Sequence, residues 1–340
     1  MTLNTGDDGQ AIDDCVYEAE LVEQLGLDAI WLAEHHFIGE VAYGDPMVFA
    51  GVVAARTKRV DIGFGIIEMA LHHPVRLAIQ TALLDHLTRG RLIVGTGRGS
   101  NFNAFEYTGF GTSVDSGKEM LDEAEDLLVK AWTTENVDHK GTYWQVAFPS
   151  TRPRPYQQPH PRLARACISE DSVVEMARIG RPILMSNRST AAAARTLALY
   201  RDTMFEAGFN EEQVERAMDQ VWIWRECYLA ESDDQALDEW LGPFERASEY
   251  VAEKRVSLKP SDVFVPTPPP PLPKDAYGEV PNPDANELFI GSPKRVSELI
   301  AMLRDVGGRN LMLTHRGMPT RKQSTSYLKL LSEKVMPAFR

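Results

Sequence analysis

Cysteine is scarce in this chain. Its 340 residues hold three, Cys15, Cys167 and Cys227, too far apart for a metal-ligand pair or a disulfide framework. They read as reduced core residues of a cytoplasmic protein. A cationic, apolar leader is lacking too: MTLNTGDDGQ does not read as a signal peptide. No apolar run approaches the roughly 20 residues of a membrane span. Positive charge is in deficit, with 36 Lys and Arg against 49 Asp and Glu, a net charge of −13. An acidic chain without a basic stripe argues against nucleic acid and against anionic membrane surfaces as partners. There is no His-x-His, the spacing that puts two metal ligands on one side of an extended segment, so no metal is expected. A Rossmann fingerprint is also missing, because Gly95-Thr-Gly-Arg-Gly99 has a different spacing and lies outside an early βαβ unit.

What is present is an ordinary globular composition, 43% hydrophobic and 25% charged, enough for one large core. Strand and helix signals alternate. Short apolar runs read as strands at Ala29–Ala33, Val60–Ile67, Leu92–Gly95, Leu163–Ile168, Ile183–Ser186, Val221–Ala230 and Leu311–Thr314. Between them, three- and four-residue apolar spacing predicts helices over Ala11–Leu25, Asp45–Lys58, Pro74–Leu87, around Met120–Ala131, up to Ala177 and over Ala191–Ala207. Another starts at Ser232 with a Ser-x-x-Gln capping box, and a terminal helix follows the last strand. Repeated βα units with near-continuous apolar strands imply an α/β fold built on a parallel sheet covered on both faces. Such barrels commonly exceed 250 residues as one domain, so residues 1–340 are read as a single one. Residues 133–162 read as loop. The Pro-rich segment 257–288 reads as a long loop over the C-terminal face within that domain. The count is seven strands, because the ten residues before the first helix are too polar for an eighth.

In a βα barrel, chemistry sits at the C-terminal ends of the strands. Those ends carry Glu34-His35-His36-Phe37, then Glu68-Met69, then Arg98 with Ser100 and Asn101, then Ser169-Glu170-Asp171-Ser172, and finally Asn187-Arg188. Adjacent histidines on an extended chain point to opposite faces, so at most one of His35 and His36 faces the axis. His72-His73 needs no chemistry. Arg98 offers a planar donor fork suited to phosphate. Ser169 and Ser172 read either as plain helix N-caps or as hydroxyls of an anion site at a helix N-terminus. Phe102, Tyr143, Trp144 and the 257–288 segment either shape a pocket or anchor loops.

WLAEHHF (31–37), HPVR (73–76), LLDHLTRGRLIVGTGRG (83–99), FGT (110–112), ISEDSVVEMARIGRP (168–182), IGSP (290–293) and VMP (335–337) follow one another as in a known family. By them the chain resembles the bacterial-luciferase-like flavin oxidoreductases over nearly all of its length after residue 10. The resemblance implies a TIM-type (β/α)8 barrel that binds reduced FMN and forms a C4a-hydroperoxyflavin. It implies catalytic roles for His35 and His36. It places Arg98, Ser169 and Ser172, with the adjoining Glu170, at the flavin phosphate. Lys118 stands where the family's α subunits have a second phosphate-contacting arginine, keeping the charge and losing the fork. Gly65-Ile66 stands at a non-proline cis peptide beneath the flavin ring. Gly97 replaces the α subunit's reactive cysteine, so thiol-dependent chemistry is not implied. Luciferase-like chains open with a short apolar strand, and this one starts in the loop that follows. Strand one is therefore expected to be missing or truncated, with its residues upstream of Met1.

The expectation is a two-component monooxygenase that inserts one oxygen atom from O₂ into a small organic substrate. FMNH₂ would come from a separate flavin reductase. An F420-dependent dehydrogenase on the same fold is the alternative, as is a non-catalytic flavin-binding, luciferase-like subunit. EHHF and the paired serines favour FMN over F420. Met47, Val48, Ala50, Gly51 and Ala54 give the second helix a small, apolar surface, and a homodimer is expected through it.

Overall fold

The structure is a computed structural model, and it describes residues 7–99, 104–186, 189–257, 288–315 and 320–340. In chain order the first elements are α1 (Asp8–Gln24), β1 (Ala29–Leu32), α2 (Pro46–Arg56), β2 (Asp61–Phe64), β3 (Ile67–Glu68) and α3 (Pro74–Thr88). Next come β4 (Leu92–Gly97), α4 (Ala104–Gly109), α5 (Gly117–Thr133), β5 (Val137–Lys140), β6 (Gln145–Phe148) and β7 (Arg162–Cys167). Then follow α6 (Glu170–Arg178), β8 (Ile183–Met185), α7 (Thr190–Glu206), α8 (Glu211–Met218), β9 (Trp222–Leu229) and α9 (Asp233–Ser257). The last are β10 (Leu288–Gly291), α10 (Pro293–Asp305), β11 (Asn310–Thr314) and α11 (Arg321–Leu330). Packing gathers them into two compact units.

One unit is built on Asp28–Leu163. Strands β1 to β4 are parallel: β1 pairs β2 from Ala29↔Asp61 to Leu32↔Phe64, and β2 and then β3 pair β4, while β5 and β6 form a separate antiparallel hairpin. All six residues of β4 are buried, as a strand covered on both faces requires. The helices between them begin where the sequence supplies caps. Asp45 accepts the N–H groups of Met47 and Val48, with Pro46 in the first turn of α2, and Pro74 opens α3. Gly63 is a packing requirement, since a Cβ there would lie 2.5 Å from the indole of Trp31, its partner across the β1–β2 ladder. The apolar run 60–67 is two strands rather than one. The chain breaks between β2 and β3 at Gly65-Ile66, whose peptide bond is cis.

The other unit is built on the described residues of Met1–Leu27, Ala164–Tyr250 and Pro273–Arg340. Here β7, β8 and β9 pair in parallel, and both β10 and β11 run parallel to β9. The core joins Met185, Ile223, Cys227, Phe289, Leu299 and Tyr327. Two buried polar contacts lie inside it. Trp240 Nε1 donates to Glu226 at 3.2 Å, and His315 meets Glu18 of α1 at 3.2 Å.

The α/β class and parallel pairing expected from the sequence hold. Five elements escaped it: α4, the β5–β6 hairpin in the segment read as loop, α8, β10 and α10. All but α10 are short, too short for a periodicity to declare itself; the thirteen-residue α10, opened by the Ser292 cap and Pro293, was overlooked behind the Pro-rich segment. Ser232 caps α9 as expected, accepting Gln235 N–H. The Gln235 side chain, however, bonds Glu239 instead of closing a capping box. The expectation about a first strand and the 258–287 part of the Pro-rich segment fall outside the described residues. No helix among them is long and apolar enough to cross a membrane.

The hairpin is fastened by one side chain. Glu123 of α5 accepts the backbone N–H groups of Thr142, Tyr143 and Trp144 in the β5–β6 turn, at 2.8–3.1 Å, and meets His139 at 3.3 Å. Burial raises its pKa, but those hydrogen bonds outweigh burial and hold it below the ordinary carboxylate value. Glu123→Ala leaves three amides without their acceptor. It should destabilise the protein by about 1–3 kcal/mol and speed amide exchange at residues 142–144 first. Unchanged exchange there would show that the turn is held by something else.

Candidate active site

The unit built on Asp28–Leu163 carries a dense cluster of buried ionisable groups. It begins where β1 ends. Beyond Leu32 the chain leaves the strand, with Ala33 N–H donating to Tyr43 Oη at 3.0 Å, and Phe37 turns it with a positive φ of 70°. Strict strand alternation therefore does not apply to residues 34–36. His35 and His36 both turn toward one carboxylate, Glu106 of α4, contrary to the expectation that they face opposite ways. Glu106 Oε1 accepts His36 N–H at 2.8 Å and lies 3.5 Å from His35 Nδ1, while Oε2 lies 3.9 Å from His36 Nδ1.

Glu34 is the second hub. Its Oε2 accepts Glu68 N–H at 2.7 Å, and its Oε1 lies 2.7 Å from His72 Nε2 and 3.4 Å from His36 Nε2. Glu34, Glu68 and Glu106 are all at most 3% exposed. Burial alone raises a carboxylate's pKa. In Glu34 the bonds from His36 and His72 outweigh it and bring the pKa down to about 2. In Glu106 His35 and His36 do the same, again to about 2. Burial lowers the pKa of His36, yet Glu106 and Glu34 raise it to about 9. His36 is thus a fixed imidazolium between two carboxylates. Gly99, with φ +75°, passes over Glu68, and a Cβ there would collide with the carboxylate.

One ligand atom each from His35, Glu68 and Glu106 lie within 4.8 Å of one another, a spacing compatible with a cation. We read the group as a hydrogen-bonded ion network, because the Glu106 oxygens already face His36 and His35.

The other expected groups of this unit sit near by in sequence order. Gly65 N–H donates to Leu32 O at 2.8 Å, so the cis Gly65-Ile66 pair lies directly beyond β2 beside the end of β1. Arg98 follows β4 and is exposed. Its stem packs on the first residue of α5, where a Cβ on Gly117 would lie 2.9 Å from Arg98 Cγ. Lys118, the next residue, pairs with Asp122 at 3.0 Å on the same helix.

Ser169, Glu170 and Ser172 belong to the other unit, where Ser169 caps α6. Its hydroxyl accepts Ser172 N–H at 3.3 Å, and the Ser172 hydroxyl donates to Ser169 O at 2.7 Å. The N-cap reading holds for Ser169 alone; Ser172 lies within the first turn of α6 and supplies the capped N–H. Ser169 also borders a cleft of about 60 Å³, lined in addition by Glu170, Ser186, Arg195 and Thr196, while Ser172 is not among its lining residues. That is the scale of a small anion, well short of the roughly 300–1,000 Å³ of a whole ligand site. Ser100, Asn101, Phe102, Asn187 and Arg188 lie outside the described residues.

Sequence reading missed three participants. His72 was set aside as a loop residue, although its ring is bonded to Glu34. Glu106 and Tyr107 fell in no motif. Tyr107 is fully buried and its hydroxyl donates to Arg98 O.

This parallel α/β scaffold with histidines and carboxylates at its strand ends is that of a known class: the chain belongs to the luciferase-like monooxygenase family, whose pattern it matches over residues 2–310. Among solved structures it resembles monooxygenase RslO1 from Streptomyces bottropensis, with 27% identity, a TM-score of 0.80 and coverage of 98% of this chain and 95% of that one. An F420-dependent secondary alcohol dehydrogenase shares the fold with a TM-score of 0.73 over 97% and 95% of the two chains. At 18% identity that likeness concerns the fold alone. Among curated proteins it is 30% identical to the oxygenase component of the flavin-dependent trigonelline monooxygenase of Acinetobacter baylyi, over 45% of this chain and 42% of that protein. The first curated relatives are spanned over only 41–62% of their own length.

The ion network has a signed pH dependence. The ionic contribution of His36 is complete below its ordinary pKa of 6.5 and is lost as pH rises through about 9. Those of Glu34 and Glu106 are present above 4.5 and are lost as pH falls towards about 2. His36→Gln should therefore lower the urea midpoint most between about pH 4.5 and 6.5 and progressively less towards pH 9. A stability gap constant across that range would contradict the fixed imidazolium.

Proposed function

We propose that this chain is the oxygenase of a two-component, FMN-dependent monooxygenase acting on a small organic substrate with O₂. The observation that carries the reading is the Glu34-His35-His36 segment held among buried carboxylates at strand ends, in a chain of this family. Reduced FMN, when bound, supplies the electrons that activate O₂. A separate reductase delivers it, as the words "oxygenase component" in the relative's name suggest for that protein. The three free cysteines suit a cytoplasmic setting.

The residues present fit such a cofactor. Hydroxyls, helix-terminal amides and Arg195 around the α6 cleft are donors suited to an anion. The Glu170 carboxylate would repel phosphate, so its part is its backbone N–H. Taken by itself, the unit built on Asp28–Leu163 offers Arg98 and Lys118 as cations suited to a phosphate, and the family resemblance gives its cis Gly65-Ile66 backbone to the ring. His35 is the proton-transfer group. His36, clamped as an imidazolium, supplies fixed positive charge rather than a travelling proton, a narrower role than the one expected from the resemblance.

Assembly into a homodimer belongs to the same reading, on a different surface from the expected one. Met47, Ala50 and Ala54 of α2 are buried within the chain. What α2 and α3 leave exposed is Val48 at 69%, Val52 at 38%, Leu83 at 49% and Leu87 at 55%. Each helix contributes an i, i+4 pair, an apolar face suited to a second copy.

Three experiments test these proposals. Arg98→Ala should weaken FMN binding by about 1.5–3 kcal/mol, the worth of a charge-assisted hydrogen bond, and riboflavin binding much less. Equal losses for both would remove Arg98 from the phosphate. Oxidation of reduced F420 without O₂, or no turnover with either reduced cofactor, would replace the monooxygenase reading by a dehydrogenase or by a non-catalytic subunit. For the dimer, Val48→Glu with Leu87→Glu should convert a two-fold assembly into monomer by light scattering at micromolar concentration. A wild-type protein that is already monomeric there would end that proposal.

A further inference from the structure

Glu106 lies in no motif, yet one carboxylate touches both family histidines. It is 0% exposed. Its helix is held by three further contacts, two of them to the histidine segment and one to the chain beyond β4. Gly109 leaves room for the Phe37 ring, which a Cβ there would overlap. Phe110 packs edge-on against His36 with ring centroids 4.7 Å apart. Tyr107 bonds the carbonyl of Arg98. The carboxylate is therefore held in place by packing, and its reach to residues 35 and 36 does not depend on the bonds it makes there.

We propose that Glu106 is the positioning residue of the histidine pair. It seats His36 through the backbone N–H at 2.8 Å and orients the His35 ring through Nδ1 at 3.5 Å, leaving His35 Nε2 as the nitrogen that exchanges a proton with the reacting groups. A carboxylate on Nδ1 fixes that nitrogen as the N–H in the neutral ring. It also stabilises the imidazolium formed when Nε2 takes up a proton. Glu106 itself stays ionised and gives up no proton, so the balance is one proton gained or lost at Nε2. The ionisable groups that face His35 are Glu106 from α4, Glu40 of its own loop at 3.9 Å from Nε2, Glu68 from β3 and the neighbouring His36. With Glu106 on Nδ1, the exchanging nitrogen is assigned as Nε2, which faces Glu40 at 3.9 Å. The inference rests on the monooxygenase reading only for the destination of that proton.

The test therefore begins with a measurement that needs no turnover. In full-length protein labelled with ¹⁵N-histidine, the side-chain nitrogen shifts of His35, assigned by comparison with His35→Gln, give its tautomer and titration midpoint. The expected neutral form is Nδ1–H; a predominant Nε2–H form overturns the proposal. Glu106→Gln keeps the side-chain shape and an acceptor for His36 N–H but loses the charge. It should move the His35 midpoint to lower pH by about one unit or more. The same downward shift should appear in whichever limb of the kcat–pH profile is absent from His35→Gln. We expect kcat to fall about 10–100-fold with the KM for reduced flavin unchanged, and Glu106→Asp, which keeps the charge, to recover part of it. A folded Glu106→Gln with an unmoved His35 midpoint overturns the proposal. So does activity abolished by chelator and restored by a divalent metal, which would make the cluster a cation site. Should Glu106→Gln fail to fold, the wild-type tautomer and the Glu106→Asp profile still decide. If no oxygenation is found at all, the midpoint and tautomer continue to report on Glu106 alone.

Discussion

Everything in the site turns on burying carboxylates side by side. Glu34, Glu68 and Glu106 are almost without solvent, and an isolated buried carboxylate is costly by several kcal/mol. The cost is offset by hydrogen bonds and by imidazolium charge, and those partners come from distant parts of the chain. Glu34 alone reaches the backbone of Glu68 and the rings of His36 and His72. Removing any single partner leaves an uncompensated charge, so the network forms as a whole. That interdependence fixes the positions of β1's extension, β3 and the loop before α3 relative to one another within their unit.

The strands determine where such groups can stand. Within each unit the paired strands of the main sheet run parallel, so their C-terminal ends share one edge. Glu34 follows β1, Glu68 ends β3 and Arg98 follows β4. In the other unit Ser169 follows β7 and Ser186 follows β8. In open α/β sheets ligands bind outside the carboxyl ends of the strands. Their interiors are mostly apolar, with buried exceptions such as Thr96 and Arg165, and the ends are where the ionisable groups of the site gather.

How much of this could be read beforehand follows from the same physics. Gly65-Ile66 was legible only through the family resemblance, since the local reading ran one strand through it, whereas the EHH segment, Arg98 and the Ser169 cap were legible because each is local. Their neighbours in sequence fix their positions at a strand end or a helix start. Glu106 was illegible because nothing near it signals burial: it sits on a six-residue helix, and its partners lie about 70 residues away. His72 was set aside because a loop histidine before proline looks solvated, and only the fold brings Glu34 to it. The inner face of α2 was misassigned for a related reason. Small apolar residues suit packing against a neighbouring chain or against α3, and composition cannot separate the two. Burial does, leaving Val48 and Val52 outward.

The aromatic cover completes the electrostatics. Phe37 and Phe110 are 60% and 48% exposed, unusual for large apolar side chains, and their rings lie 5.3 Å apart. Phe110 also meets the edge of His36. Placed between the ion network and solvent, these rings keep water from screening it, and charges interact far more strongly as the local dielectric falls. Dry surroundings have a cost as well, because burial by itself disfavours the charged form of His36. The imidazolium is fixed because Glu106 and Glu34 outweigh that cost, and the same dry rim that raises the cost strengthens their hold.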